Sequence, residues 1–399
     1  MVQPTRPPIN RFNAFARRIY NPLGFSKAYN FILFFIFNGA LLGFTLARLQ
    51  YLDFNGIFCS PTPSGGNGAA PGECYYYLRD RYKVGIIMHL AGILPAAFLA
   101  TLQFVPAIRH AVILFHRING YVVILLVLVA NAGALMIARH AFGGGLDTQA
   151  VIGALAIVTT GSLVLALVNI KRLQIEQHRA WMLRTWFYVR ALSLFHPYLS
   201  FPLTFDNVQL GSIITTRIIQ ITTATVVSAG RNYFVARPCA QLLFTLAGSE
   251  RRLLAAFPEC AAYVSGGDAG RYALVRADMG AGGPAGPAGV GAALGVGFGM
   301  ALWLALVVHA VGVEVYLKLT PREHERLRNV SYQRQLEAGM KNPGSAGLTV
   351  ERLGDAEPWV PKCVAEKQEE KERQLSSGTV SVEQDGEVVK VEDGAPREN

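Results

Sequence analysis

FHRINGYVVILLVLVANAGALMIARH, residues 115–140, decides the fold. From Val122 to Ala138 it holds no charged side chain, and a basic residue with a histidine stands at each end: His116 and Arg117, then Arg139 and His140. The 24 residues from His116 to His140 make about 36 Å of α-helix at 1.5 Å per residue. That exceeds the ~30 Å of a bilayer's hydrocarbon core. The stretch reads as one membrane crossing with both ends in the polar interface.

The pattern repeats along the chain. Apolar segments cover about 31–50, 85–107, 112–138, 149–170, 181–204, 209–229 and 287–316, and overall 51% of residues are hydrophobic against 16% charged. The expected fold is all-α: a polytopic transmembrane helical bundle of about seven helices, with the lipid bilayer as its partner. The first six segments are mostly joined by short loops and should pack as up-and-down neighbours. No ten-residue alternation of a membrane barrel is present. The organisation read from this is a basic cytoplasmic N-terminal segment (1–29), a transmembrane bundle (30–230), a long loop (231–286) that includes the linker-like MGAGGPAGPAGVG, a last transmembrane helix (287–317) and a polar C-terminal tail (318–399). Thr320-Pro321-Arg322-Glu323 starts a tail helix as a capping box with proline at its first position. From about residue 365 the composition is that of disorder.

The net charge of +10 does not point to nucleic acid, because the basic residues flank apolar segments as the positive-inside rule requires. Arg6, Arg11, Arg17, Arg18 and Lys27 precede the first segment, which reads as a signal anchor with a cytoplasmic N-terminus. Cys59 and Cys74 then fall outside, where a disulfide persists; Cys239 and Cys260 are further disulfide candidates. The last third conflicts with this count. Six crossings put residues 231–286 inside, yet their cysteines favour the outside, and Lys318, Arg322, Arg326 and Arg328 of the tail favour the inside. The glycosylation candidate Asn329, in Asn329-Val330-Ser331, reports the side if occupied.

The polar residues inside this bundle carry the functional expectations. His116 and His178 form an inner layer, and His89 and His140 an outer one. Such a two-layer set suits b-type haem, with His116 and His178 as the inner axial ligands to the metal and Arg117, Arg179 and Arg184 level with the propionates. The bland reading is that histidine and arginine collect at helix ends to meet water and phosphates, and that His116 and His178 fix the end of the bundle. Arg217, near mid-depth of the sixth segment, faces protein or a wet cavity: a structural ion pair, or part of a substrate path. Gly291, Gly295 and Gly299 are spaced to let a helix partner approach closely, from within the chain or from a second copy. No GxSxG, Walker loop, HExxH or dinucleotide fingerprint occurs, and no catalytic residue is assigned.

MHLAGILPAAFLATLQFVPAIR (88–109), FHRINGYVVI (115–124) and QHRAWMLRTW (177–186) together resemble a family of integral-membrane proteins, domain of unknown function 2306, whose core covers roughly 85–190. The later stretches GFGMALWLALVVHAVGVEVYL and SYQRQLEAGMKNPGSAGLTVERLGDAEPW look like its longer fungal members. The resemblance implies a membrane bundle and little biochemistry. Its layout is similar to haem-carrying bundles only by analogy, and segment four lacks the histidine that analogy requires. Two readings follow: transmembrane electron transfer through haem b, or a non-redox transporter or accessory membrane protein of a fungal biosynthetic pathway.

Overall fold

The computed structural model describes residues 7–25, 27–60, 68–189, 214–230, 232–280, 283, 285–376, 382–384 and 387–389. It is mostly helical. The principal helices are α1 (Arg11–Tyr20), α2 (Ala28–Arg48), α3 (Asp80–Gln103), α4 (Ile113–Ile137), α5 (Leu146–Lys171), α6 (Ile175–Val189), α7 (Ile214–Gly230), α8 (Gly286–Leu319) and α9 (Pro321–Glu337), with one antiparallel hairpin of β1 (Phe234–Pro238) and β2 (Tyr272–Arg276) between α7 and α8. Among the described residues five helices are long and apolar enough to cross a membrane: α2 with the turn after it, α3, α4, α5 and α8. The chain forms two compact units, residues 1–163 with 184–314, and residues 164–183 with 315–399.

In the first unit α3 and α4 form the closest helix pair. The backbone at Gly92 lies against Leu126 and Ala130, and Gly85 lies against Met136 and Ile137. Small residues permit this approach, which apolar packing alone does not enforce in lipid. Amide side chains then bond across the helices: Asn119 Nδ2 donates to the Leu99 carbonyl at 3.0 Å, Gln103 Nε2 to that of His116 at 3.0 Å, and Asn131 Nδ2 to Thr159 Oγ1 on α5 at 2.9 Å. Each removes a polar group that hydrocarbon would leave unsatisfied.

Both disulfides, Cys59–Cys74 and Cys239–Cys260, lie in one lobe at one end of this unit. Gln241 Nε2 donates to the Gly72 carbonyl at 3.1 Å and Arg237 to that of Gly143 at 3.3 Å, which ties the 231–286 loop to the two earlier lobe loops. The fifth and sixth expected segments, on which the six-crossing count turns, are described only in part. Residues 190–213 of these fall outside the described residues. Their flanks both run antiparallel to α8: Arg184 pairs with Glu314 and Phe187 lies by His309, while Gln220 bonds Leu294 and Ser228 bonds Asp278. Helix α8 then starts at the lobe and leaves it.

The second unit joins the end of α5, the start of α6 and the tail. Helix α5 ends in a Schellman arrangement, with Gln174 N–H bonded to Asn169 O at 2.9 Å and Leu173 N–H to Ile170 O at 3.0 Å. Leu173 takes the left-handed conformation (φ 57°) that glycine usually fills there. The reversal turns Gln174 and Glu176 inward. Helix α9 starts with proline at its first position but without the expected capping box, because the Thr320 hydroxyl bonds the Tyr316 carbonyl at 3.0 Å and Glu323 pairs with Arg326; the tail continues through Trp359 and into a further helix, Lys362–Ser376.

Candidate functional site

The charged centre of the first unit is built around Glu73. The Cys59–Cys74 disulfide pins the residue next to it, and its carboxylate is buried, with 6% of the residue exposed. Oε1 accepts from the Phe142 N–H at 2.6 Å and the Tyr77 hydroxyl at 3.3 Å, and Oε2 from the Ala70 N–H at 2.9 Å. Phe142 holds a left-handed backbone (φ 48°), a conformation uncommon for a bulky residue and worth roughly 1–2 kcal/mol of strain. It is kept there by the bond to Glu73 and by stacking on Phe298 at 4.1 Å between centroids. The Arg217 guanidinium lies 4.6 Å from the Phe142 ring and donates to Gln220 Oε1 at 2.7 Å. Arg237, from β1, reaches the adjoining Gly143 carbonyl.

Burial pushes the Glu73 carboxyl above its ordinary range; the Phe142 and Ala70 N–H groups and then the Arg217 charge pull it part of the way back. Burial also draws the Arg237 guanidinium down, against the Tyr76 and Glu73 charges. Arg217 and Arg237 thus both feel one carboxylate, and the cluster carries a surplus of positive charge suited to an anionic group. Arg217 does not stand alone in hydrocarbon: its charged surroundings are Glu73, Arg48 and Tyr51, at the lobe end of the unit. The GxxxGxxxG stripe serves the same end. Gly291 abuts the Pro71 carbonyl, Gly295 that of Phe142, and Gly299 the Asp147 carboxylate and Thr148 N–H. It receives loop backbone and the start of α5.

The histidines are distributed differently from the two-layer expectation. His89 Nδ1 donates to the Ala130 carbonyl at 3.0 Å, inside the glycine-rich α3–α4 contact. His140 stacks on Tyr76 at 3.8 Å and meets the edge of Tyr82 at 4.4 Å. Tyr82 precedes His89 by seven residues, about 10 Å along α3, so His89 and His140 are not level with a shared iron. The outer pair does not fit a bis-histidine haem. His178 Nδ1 donates to the Ala166 carbonyl at 2.9 Å within the second unit, whereas His116 belongs to the first. Arg184 is engaged by Glu314 through both carboxylate oxygens at 2.6 and 3.0 Å, Arg179 bonds the Tyr316 hydroxyl at 3.3 Å, and Arg117 is exposed. Among the described residues no group of three or more His, Cys, Asp or Glu is arranged to hold a metal.

A second polar centre, not expected from the sequence, lies in the second unit. Gln174, Glu176, Ser331 and Gln335 are all fully buried. Glu176 accepts from Ser331 Oγ at 2.6 Å and Gln174 Nε2 at 2.5 Å; Gln174 Oε1 accepts from Gln335 Nε2 at 2.8 Å and the Gly347 N–H at 2.8 Å. The signal that could have found it is the density of amides around QIEQ and in SYQRQ. The glycosylation candidate Asn329 lies half-buried inside α9, and the Ser331 hydroxyl also accepts from the Ile175 N–H at 2.8 Å.

Fold and site together define a polytopic helical membrane protein with a disulfide-bonded lobe over a charged cluster. Residues 86–229 match the model of the family described as predicted membrane protein, domain of unknown function 2306. The chain is also similar to "Ava biosynthesis cluster protein G" of Aspergillus versicolor, 26% identical over 344 residues that cover 74% of this chain and 90% of that protein. No solved structure matches.

Proposed function

We propose that this is a non-redox membrane protein of a fungal biosynthetic pathway, with a transporter-type site at Glu73, Arg217 and Arg237 that receives an anionic group. The observation that carries the reading is the convergence of two arginines and one buried carboxylate from three distant chain segments on the strained Phe142. An intramembrane or membrane-edge ionisable cluster marks a functional site by default. The relative's printed connection with a biosynthetic cluster supports the pathway. The proposed orientation has the N-terminal segment cytoplasmic and the lobe in an oxidising compartment. The lobe carries both disulfides, and Arg11, Arg17, Arg18 and Lys27 precede the first span.

The test is a deletion strain of the producing organism, complemented with wild type or Arg217→Ala. Mass spectrometry measures how pathway metabolites divide between cells and medium. The variant should be expressed at the wild-type level and fail to restore the distribution. Full restoration refutes the site.

A second reading, His178 as an axial ligand of haem b, is favoured by one observation. Its Nδ1–H is committed to a backbone carbonyl, which leaves Nε2 as the lone-pair nitrogen, the arrangement metal-bound histidines adopt. A reduced-minus-oxidised visible spectrum of the detergent-purified chain decides: b-type bands that vanish in His178→Ala establish it, and their absence after haem-replete expression removes it.

A further inference from the structure

The chain's first helix carries a surface that none of the roles above uses. Helix α1, RFNAFARRIY, has Phe12, Phe15, Ala16 and Ile19 at the i, i+3, i+4, i+7 spacing of one helical face. Phe12 is 77%, Phe15 61% and Ile19 49% exposed. Arg11, Arg17 and Arg18 lie off this face, and no acidic residue occurs before Asp53. The helix is also fixed in place. Asn10 caps it by accepting from the Asn13 N–H at 2.7 Å. Buried Tyr20 stacks on Phe31 at 6.0 Å, and Phe25 packs against Phe31 and Phe34 at 5.8 and 5.0 Å, all at the first turns of α2. Helix α2 itself is a membrane span whose flank exposes Ile32, Phe35 and Ile36. The apolar face of α1 is therefore held where a span enters the bilayer, at the level of the headgroups.

We infer that α1 is an interfacial helix: Phe12, Phe15 and Ile19 insert among acyl chains while Arg11, Arg17 and Arg18 contact anionic lipid headgroups. A high contrast between faces with basic residues on the polar one is the pattern of helices that lie in the membrane plane. The wholly basic segment matches the negative surface of a cytoplasmic leaflet, whose attraction falls off within a Debye length. A protein partner would find only a short strip of three large apolar side chains, and no acidic residue to set its register.

The test uses the full chain with Cys363→Ser, which removes the free thiol, and a spin label at Phe15→Cys, Ile19→Cys, Ala14→Cys or Arg18→Cys. Samples are reconstituted in nanodiscs of phosphatidylcholine with and without phosphatidylserine. Collision rates with oxygen and with a water-soluble nickel chelate report depth. Labels at 15 and 19 should favour oxygen and those at 14 and 18 the chelate. Phosphatidylserine should deepen the label at 15, and Arg17→Gln with Arg18→Gln should abolish that deepening. Equal chelate access at 14 and 15 overturns the proposal outright. Immersion that ignores phosphatidylserine overturns its headgroup half.

Discussion

Gly92→Ala tests whether the α3–α4 contact is set by glycine. A Cβ at position 92 would sit 2.7 Å from the Leu126 carbonyl oxygen, 2.9 Å from Ala130 N and 3.0 Å from Ala130 Cβ. An ordinary carbon–oxygen contact is about 3.3–3.6 Å, so the helices must part by roughly 0.6 Å or more at this turn. Two of the three obstacles are backbone and cannot rotate away. Overpacking of this kind costs about 1–3 kcal/mol. The same movement strains the bond from His89 to Ala130, now 3.0 Å, and its loss adds about 0.5–1.5 kcal/mol. Alanine's better helix propensity returns about 1 kcal/mol. The net is a destabilisation of about 1–3 kcal/mol. Gly43→Ala on α2 meets nothing within 4 Å and serves as the control, gaining only the propensity. Tryptophan-monitored thermal unfolding in detergent should therefore move in opposite directions for the two variants. Gly92→Ala with a midpoint equal to or above that of Gly43→Ala refutes the reasoning.

In the second unit, Ser331→Ala deprives Glu176 of a donor and the Ile175 N–H of an acceptor. Unsatisfied buried groups cost about 1–3 kcal/mol each, so amide exchange over residues 174–178 should accelerate. Arg328 and Glu351 pair at 2.6 Å with side chains only 12% and 7% exposed; Arg328→Ala removes the carboxylate's charged partner and leaves it only the bonds from its own N–H and Thr349, costs about 1–3 kcal/mol, and should release Trp359 fluorescence from the guanidinium 4.5 Å from its ring. For Glu351, burial is the largest single influence and raises the carboxyl, but the bond from Arg328, those from its own N–H and Thr349, and the Arg328 charge together outweigh it and hold the group below its ordinary value. The folded form therefore binds fewer protons than the unfolded chain, and the stabilisation present above that pH is lost as pH falls through the folded value; tail amide exchange should rise with acidification only there. Removing the Cys59–Cys74 bridge, whose cysteines are 15 residues apart, by a double serine substitution should destabilise the lobe by about 3 kcal/mol, read as earlier protease cleavage within 53–79.

Much of the fold was legible because hydrophobic length is a local property. Each of α2, α3, α4, α5 and α8 is announced by its own run of residues. The direction of α6 and α7 was not legible because direction is not local: it takes the pairings Arg184–Glu314 and Gln220–Leu294 to show that each runs antiparallel to α8. The histidines were legible as polar residues at membrane depth, but their tasks were not. His89 and His178 each serve a carbonyl one or more turns away on a packed neighbour, and His140 lies between tyrosines. Glu73 drew no notice, since a carboxylate in a turn-rich loop is usually solvated; the disulfide and Phe142 bury it.

The sequence by itself determined that this is a helical membrane protein with basic ends and a cysteine-bearing lobe, because span length, charge flanks and family motifs are written in consecutive residues. Only the tertiary structure decided which charges meet, that both disulfides share one end, and that the tail locks onto Gln174 and Glu176. Those outcomes rest on hydrogen bonds and ion pairs between residues up to 173 positions apart. Their partners are selected by packing, and packing is not periodic in sequence.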